Sequence, residues 1–164
     1  MPHTRPTTDL AKEGLFNILQ HKIDFTDIKT LDLFGGTGSI SYELASRGAT
    51  DLTIVEKDAN MVAFIRQTAE KMGIPLKLVR MDVFKFIESI SAGYHFIFAG
   101  PPYALGSIDE LPRLVFEHKL LLPGGWFVLE HTPRNSYQSF PHFHSERNYG
   151  TTLFSFFLNE NQQS

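Results

Sequence analysis

An α/β fold with a mostly parallel sheet, helices on both faces and an antiparallel hairpin at the C-terminal end is the architecture that this sequence predicts. Three observations carry it. Short runs that are apolar on both sides recur along the chain, each is separated from the next by a helix-length amphipathic stretch, and this alternation stops after His131. Strands buried on both faces with helical crossovers form parallel sheets, whereas two strand-like runs joined by a turn form a hairpin. With 164 residues and no linker-like or low-complexity tract, residues 1–164 are expected to make one domain.

The elements follow in order. Thr7-Thr8-Asp9 offers a cap oxygen to a helix whose apolar positions are Ala11, Leu15, Ile18 and Leu19. Lys29 to Phe34 reads as a buried strand, Ser39 to Arg47 as a helix closed by Gly48, and Leu52 to Glu56 as the next strand. Ala59 to Met72 is a long helix ending at Gly73, Leu76 to Arg80 a third strand, Val83 to Ile90 a helix, and Phe96 to Ala99 a fourth strand. Leu111 to Lys119 gives a further helix, Pro123-Gly124-Gly125 a turn, and Trp126 to Glu130 a fifth strand. His142 to Arg147 and Thr152 to Leu158 read as two strands turning at Tyr149-Gly150, completing a seven-stranded sheet. Phe140, Phe143, Phe154, Phe156 and Phe157 are expected to pack that hairpin onto the core.

Composition excludes several function classes. There is no cysteine, which removes disulfides, thiolate metal sites and thiol nucleophiles. No apolar stretch approaches the length of a membrane span, and no membrane association and a cytoplasmic location are expected. The formal net charge of -3 means that a nucleic-acid partner has to be met locally, not by the surface as a whole. His142, His144 and Glu146 alternate along a strand, but an edge strand carrying imidazoles needs no ion, and no metal is expected.

The chemistry-bearing residues lie at the ends of strands. Asp32-Leu33-Phe34-Gly35-Gly36-Thr37-Gly38-Ser39 joins the first strand to its helix, where glycines permit a tight turn and close approach of a ligand to the helix N-terminus. The third glycine of the dinucleotide fingerprint is missing, and a purely structural turn fits this stretch too. Glu56 closes the second strand where a carboxylate accepts hydrogen bonds from ribose hydroxyls. An acid before the glycines repels a pyrophosphate but suits a ligand carrying a sulfonium and an ammonium, which points to S-adenosyl-L-methionine. Asp82 fits either an adenine amino contact or a helix cap. Gly100-Pro101-Pro102-Tyr103, after the fourth strand, is a rigid loop presenting main-chain carbonyls and a ring on which a base can stack for about 1 to 3 kcal/mol.

With these residues the chain resembles the class I S-adenosylmethionine-dependent methyltransferases, a Rossmann-like fold. Within them it resembles the bacterial small-subunit ribosomal RNA guanine-N2 methyltransferases. The likeness is carried by Arg5-Pro6-Thr7-Thr8-Asp9, by Lys12 to Leu19, by Asp32 to Gly38, by Glu56 and by the Pro101-Pro102-Tyr103 loop. The resemblance implies that Asp32, Phe34, Gly35, Gly36 and Gly38 hold the methionine end of the cofactor and Glu56 its ribose. It likewise implies that Asp82 and Val83 meet the adenine, that Arg5, Thr7 and Thr8 help to cover the site, and that Gly100 to Tyr103 hold the guanine. It further implies direct methyl transfer to an exocyclic amine, with the small ribosomal subunit or its RNA as partner and a monomer with no obligate protein partner.

Two departures qualify the resemblance. The family begins with a basic β-hairpin, while here only Met1 to Thr4 precede Arg5, so that hairpin is expected to be absent. The family loop reads Asp-Pro-Pro-Tyr or Asn-Pro-Pro-Tyr, and Gly100 removes that side-chain acceptor. Loss of one preorganised electrostatic contact commonly lowers rate by about 10² to 10³. A slow enzyme is therefore expected unless a carbonyl of Gly100 or Pro101, or a side chain such as Asp109, takes over. Adenine-N6 methylation of DNA or RNA, and cofactor binding with impaired catalysis, are the competing readings. A nicotinamide oxidoreductase is disfavoured by Asp32, the missing glycine and the Pro-Pro-Tyr loop.

Overall fold

The computed structural model describes residues 7–160. It contains helices α1 (Asp9–Leu19), α2 (Ser39–Ser46), α3 (Ala59–Met72), α4 (Val83–Ser89) and α5 (Glu110–Glu117). The strands are β1 (Lys29–Leu33), β2 (Asp51–Val55), β3 (Lys77–Val79), β4 (Tyr94–Ala99), β5 (Leu121–His131), β6 (Phe143–Tyr149) and β7 (Thr152–Leu158). They form one seven-stranded sheet in the order β3-β2-β1-β4-β5-β7-β6. β1 to β5 pair in parallel, and β7 runs antiparallel to both β5 and β6. The predicted fold class and C-terminal hairpin are therefore as read from the sequence.

The central strands β1, β2, β4 and β7, and β5 from Trp126 onward, are buried along most of their length because both faces of the sheet are covered. On one face Leu31, Leu33, Ile97, Ala99, Phe127, Leu129 and Phe157 pack with Val83, Phe86 and Ile87 of α4 and Leu111 and Val115 of α5. On the other, Phe96, Phe98, Trp126, Val128, Phe154 and Phe156 pack with Ala11, Leu15, Phe16 and Leu19 of α1 and with Ile40 and Leu44 of α2. The period of two along each strand sorts the side chains between these cores. Thr8 is the N-cap of α1, its hydroxyl accepting from the Ala11 N–H at 3.2 Å.

Two local readings need correction. Pro123-Gly124-Gly125 is not a turn before the fifth strand but lies within β5. Tyr94 pairs with Leu121 and Phe96 with Trp126, so β5 bulges there, and Gly124, at φ 80°, donates its N–H to the Asn159 carbonyl at 2.7 Å. His142 and His144 do not share a strand face with Glu146. His142 precedes β6 at φ 70° and stacks on Phe116, while His144 sets its ring edgewise on Trp126. A register shift between Phe143 and Ser145 breaks the alternation. Between α1 and β1, Phe25–Asp27 form a 3-10 turn, with Asp24 accepting from the Thr26 N–H.

Candidate active site

Register places the chemistry in a row. Leu33 pairs with Val55 and Ala99, Val55 with Val79, and Ala99 with Leu129, so the residues that follow them emerge side by side along the carboxyl edge of the sheet. Glu56, Gly100, Glu130 and the glycine loop all belong to this row. Open α/β sheets bind ligands at this edge, beside the point where strand order reverses, and here β1 and β4 flank that reversal.

The glycine loop turns through left-handed backbone at Phe34, Gly36 and Gly38, with φ of 62°, 58° and 85°. A side chain at Gly35 would run into Ile54 Cγ2, and one at Gly38 would meet the Tyr42 ring at 2.6 Å. At Gly36 only the Phe34 carbonyl lies within 4 Å of such a Cβ, so the backbone there faces an open cradle. The Phe34 ring leans edgewise on Phe84 at 6.5 Å.

Glu56 holds the cradle in shape. One of its carboxylate oxygens accepts the Gly36 N–H at 2.9 Å and the other the Asp58 N–H, also at 2.9 Å. It is thus first a clamp between the loops after β1 and β2. Asp58 in turn caps α3 through the N–H groups of Asn60 and Met61.

Asp32 is buried at the end of β1 and accepts the Ser41 hydroxyl at 2.8 Å. Burial pushes its carboxyl up from 3.8 to about 7, with the Ser41 hydrogen bond opposing and the nearby Glu56 charge adding to the rise. A buried carboxyl in that condition favours a cation beside it. Together with the open Gly36 cradle, this fits a ligand bearing an ammonium and a sulfonium.

The remaining sequence-predicted residues divide. Asp82 is the N-cap of α4, accepting from the Lys85 N–H at 3.2 Å, and Val83 has its side chain in the core. Thr7 donates its hydroxyl to Glu130 Oε1 at 2.6 Å, and the Thr8 hydroxyl caps α1. Arg5, and the Met1 to Thr4 segment before it, lie outside the described residues.

In the loop after β4, Gly100 donates its N–H to the Leu33 carbonyl at 3.3 Å, Pro101 is buried, and the Leu105 N–H reaches the Pro102 carbonyl. Tyr103 donates its hydroxyl to Glu130 Oε2 at 2.7 Å. Asp109, named above as a substitute acceptor, takes the Tyr137 hydroxyl at 2.8 Å.

Sequence reasoning missed Glu130. It is 2% exposed, and it joins the segment before α1 to the loop after β4. Its signal was present: an acid closing an apolar strand, the same feature that singled out Glu56. Among the described residues no cluster of three His, Asp or Glu side chains is arranged to hold a metal, and no helix is long and apolar enough to cross a membrane.

This sheet order, with a glycine cradle and a clamped acidic residue at its carboxyl edge, is the fold of the Rossmann-like methyltransferases. More particularly, the chain belongs to the family described as Conserved hypothetical protein 95, whose profile matches residues 1–158. It is similar to the ribosomal RNA small subunit methyltransferase D of Escherichia coli (strain K12), 27% identical over 165 aligned positions that take in 98% of this chain and 82% of that protein. A solved structure of the putative methyltransferase yhhF from Escherichia coli matches with a TM-score of 0.86 at 23% identity, covering 96% of this chain and 89% of that one. A T. thermophilus 16S rRNA N2 methyltransferase in complex with AdoMet and guanosine matches with a TM-score of 0.74 at 24% identity, over 93% of this chain and 44% of its own.

Proposed function

We propose that this enzyme methylates small-subunit ribosomal RNA at an exocyclic amine, guanine N2. The observation that carries the reading is the bond that joins the start of the loop after β4 to the end of β1, where the glycine loop begins. The Gly100 N–H bonds the Leu33 carbonyl, which sets the Pro-Pro-Tyr loop against the glycine loop so that a cofactor at one faces a base at the other. The likeness to the small-subunit methyltransferase of Escherichia coli supports ribosomal RNA, and the T. thermophilus protein solved with guanosine supports the base. The partner is the small subunit or its RNA, met by a cytoplasmic monomer.

S-adenosylmethionine, when bound, supplies a methyl group on a positively charged sulfur. Asp32 offers its carboxylate to the cationic methionine end, Gly36 and Gly38 let the backbone approach, and Glu56 accepts from the ribose while keeping Gly36 in place. Asp82 and Val83 flank the adenine. On the target side Pro101 and Pro102 hold the loop rigid and Tyr103 stacks on the base, its ring fixed by the bond from its hydroxyl to Glu130. These residues act by positioning cofactor and base.

The test is transfer of labelled methyl from S-adenosylmethionine to small subunits lacking the modification, followed by digestion of the RNA to nucleosides. N2-methylguanosine is the expected product. N6-methyladenosine would move the target to adenine, and absence of label from the RNA would overturn the reading.

A further inference from the structure

Gly100 leaves the target loop without the acidic or amide side chain expected there, yet a carboxylate stands beside it. A Cβ built on Gly100 would lie 3.5 Å from Glu130 Oε1 and 3.1 Å from Phe98 Cε2. Glu130 reaches this point because β5 pairs with β4 in a register that aligns Leu129 with Ala99, so the next residues of the two strands are neighbours. Trp126 and Val128 face the α1 side of the sheet, and the period of two sends Glu130 the same way, toward the space a side chain at position 100 would enter. Its oxygens are aimed by the Thr7 and Tyr103 hydroxyls, at 2.6 and 2.7 Å.

We propose that Glu130 is a catalytic residue: it supplies from β5 the acceptor that Gly100 does not supply from the loop. The proposal rests on Gly100 to Tyr103 being the target loop. A carboxylate accepts along about four directions, and the amino group of the target base is a further donor to this one. As the amine nitrogen forms its bond to the methyl carbon, the carbon–sulfur bond breaks and leaves its electron pair on sulfur. The nitrogen becomes positively charged, and one of its protons passes to the Glu130 carboxylate and then to water as product leaves. A negative charge held ready at that nitrogen stabilises the transition state more than the ground state.

The claim separates from a merely structural role through a swap. Labelled methyl transfer to unmodified small subunits is measured for the natural chain, Glu130→Gln, Glu130→Ala, Gly100→Asp and the pair Glu130→Ala/Gly100→Asp. Calorimetric binding of S-adenosylhomocysteine and thermal unfolding are followed on each. Glu130→Gln is expected to lower the transfer rate by about 10² to 10³ with cofactor-product affinity unchanged. Moving the carboxylate back to the loop in the pair is expected to recover at least about tenfold over Glu130→Ala. Gly100→Asp alone, which crowds two carboxylates, is expected to slow the enzyme and not to improve it. Normal transfer by Glu130→Gln overturns the assignment, as does a folded pair that binds S-adenosylhomocysteine but recovers nothing. Silence of the natural chain would instead overturn the ribosomal RNA reading and take this assignment with it.

Discussion

Beside β1 and β2 the site is knitted from near neighbours: Glu56 reaches Asp58 and Gly36 across 2 and 20 residues, and Ser41 reaches Asp32 across 9. Beside β4 and β5 it is assembled from afar, with Tyr103 and Thr7 meeting Glu130 across 27 and 123 residues. On the proposed roles, the cofactor half takes shape as its own β-α-β units form, whereas the target half needs the whole sheet. Damage to the two halves should accordingly separate, the first losing cofactor affinity and the second losing transfer with affinity intact.

On the cofactor side the break that also costs stability is expected from Gly38→Ala. It places a Cβ in left-handed backbone and 2.6 Å from the Tyr42 ring, for about 2 to 3 kcal/mol of stability and about a tenfold loss of S-adenosylmethionine affinity. Thermal unfolding and calorimetry check both, and normal affinity would remove the loop from the cofactor half.

Next comes pH. The native Asp32 carboxyl holds its proton up to about 7, against 3.8 for an ordinary aspartate. The native state therefore binds more protons than the unfolded chain between those values, and the stability of the ligand-free protein should fall as pH rises from about 4 to about 7. A cationic ligand needs the charged carboxylate, so S-adenosylmethionine affinity should rise with pH, by up to about tenfold per unit below 7, and level off above it. Asp32→Asn should flatten both profiles; a slope that survives in this variant would assign the titration to another group.

The smallest effect sharpens the contrast from the other side. Tyr103→Phe removes one hydroxyl from Glu130, which at about 1 to 1.5 kcal/mol predicts roughly a tenfold slower transfer and unchanged cofactor affinity. Steady-state kinetics beside calorimetry reads the two separately. Weakened cofactor binding in this variant would show that the halves are not independent.

The same contrast explains what was legible in the sequence. Element order was readable because burial on both faces makes β4 and β7 largely apolar and because Thr8 and Asp58 cap their helices through short-range bonds. The glycine loop and Glu56 were readable for the same reason, being local. Pro123-Gly124-Gly125 was misread because its strand character comes from Asn159, which lies far along the chain and both receives the Gly124 N–H and donates to the Gly125 carbonyl. What stands beside Gly100 was illegible for the same reason, since it is decided by the register of β5 on β4. Asp109 was the nearer acid in sequence, but the Tyr137 hydroxyl holds it.

The bond between Thr7 and Glu130 also sets a clock. Chain synthesis proceeds at about 5 to 20 residues per second, so Thr7 waits roughly 6 to 25 seconds before the residue it binds has been made. Throughout that interval the glycine cradle has its own neighbours at hand while the acceptor for the target does not yet exist. On the proposed roles, a nascent chain can thus gain its cofactor cradle before the target acceptor exists, and the last part of the site to mature is the one that joins its beginning to its fifth strand.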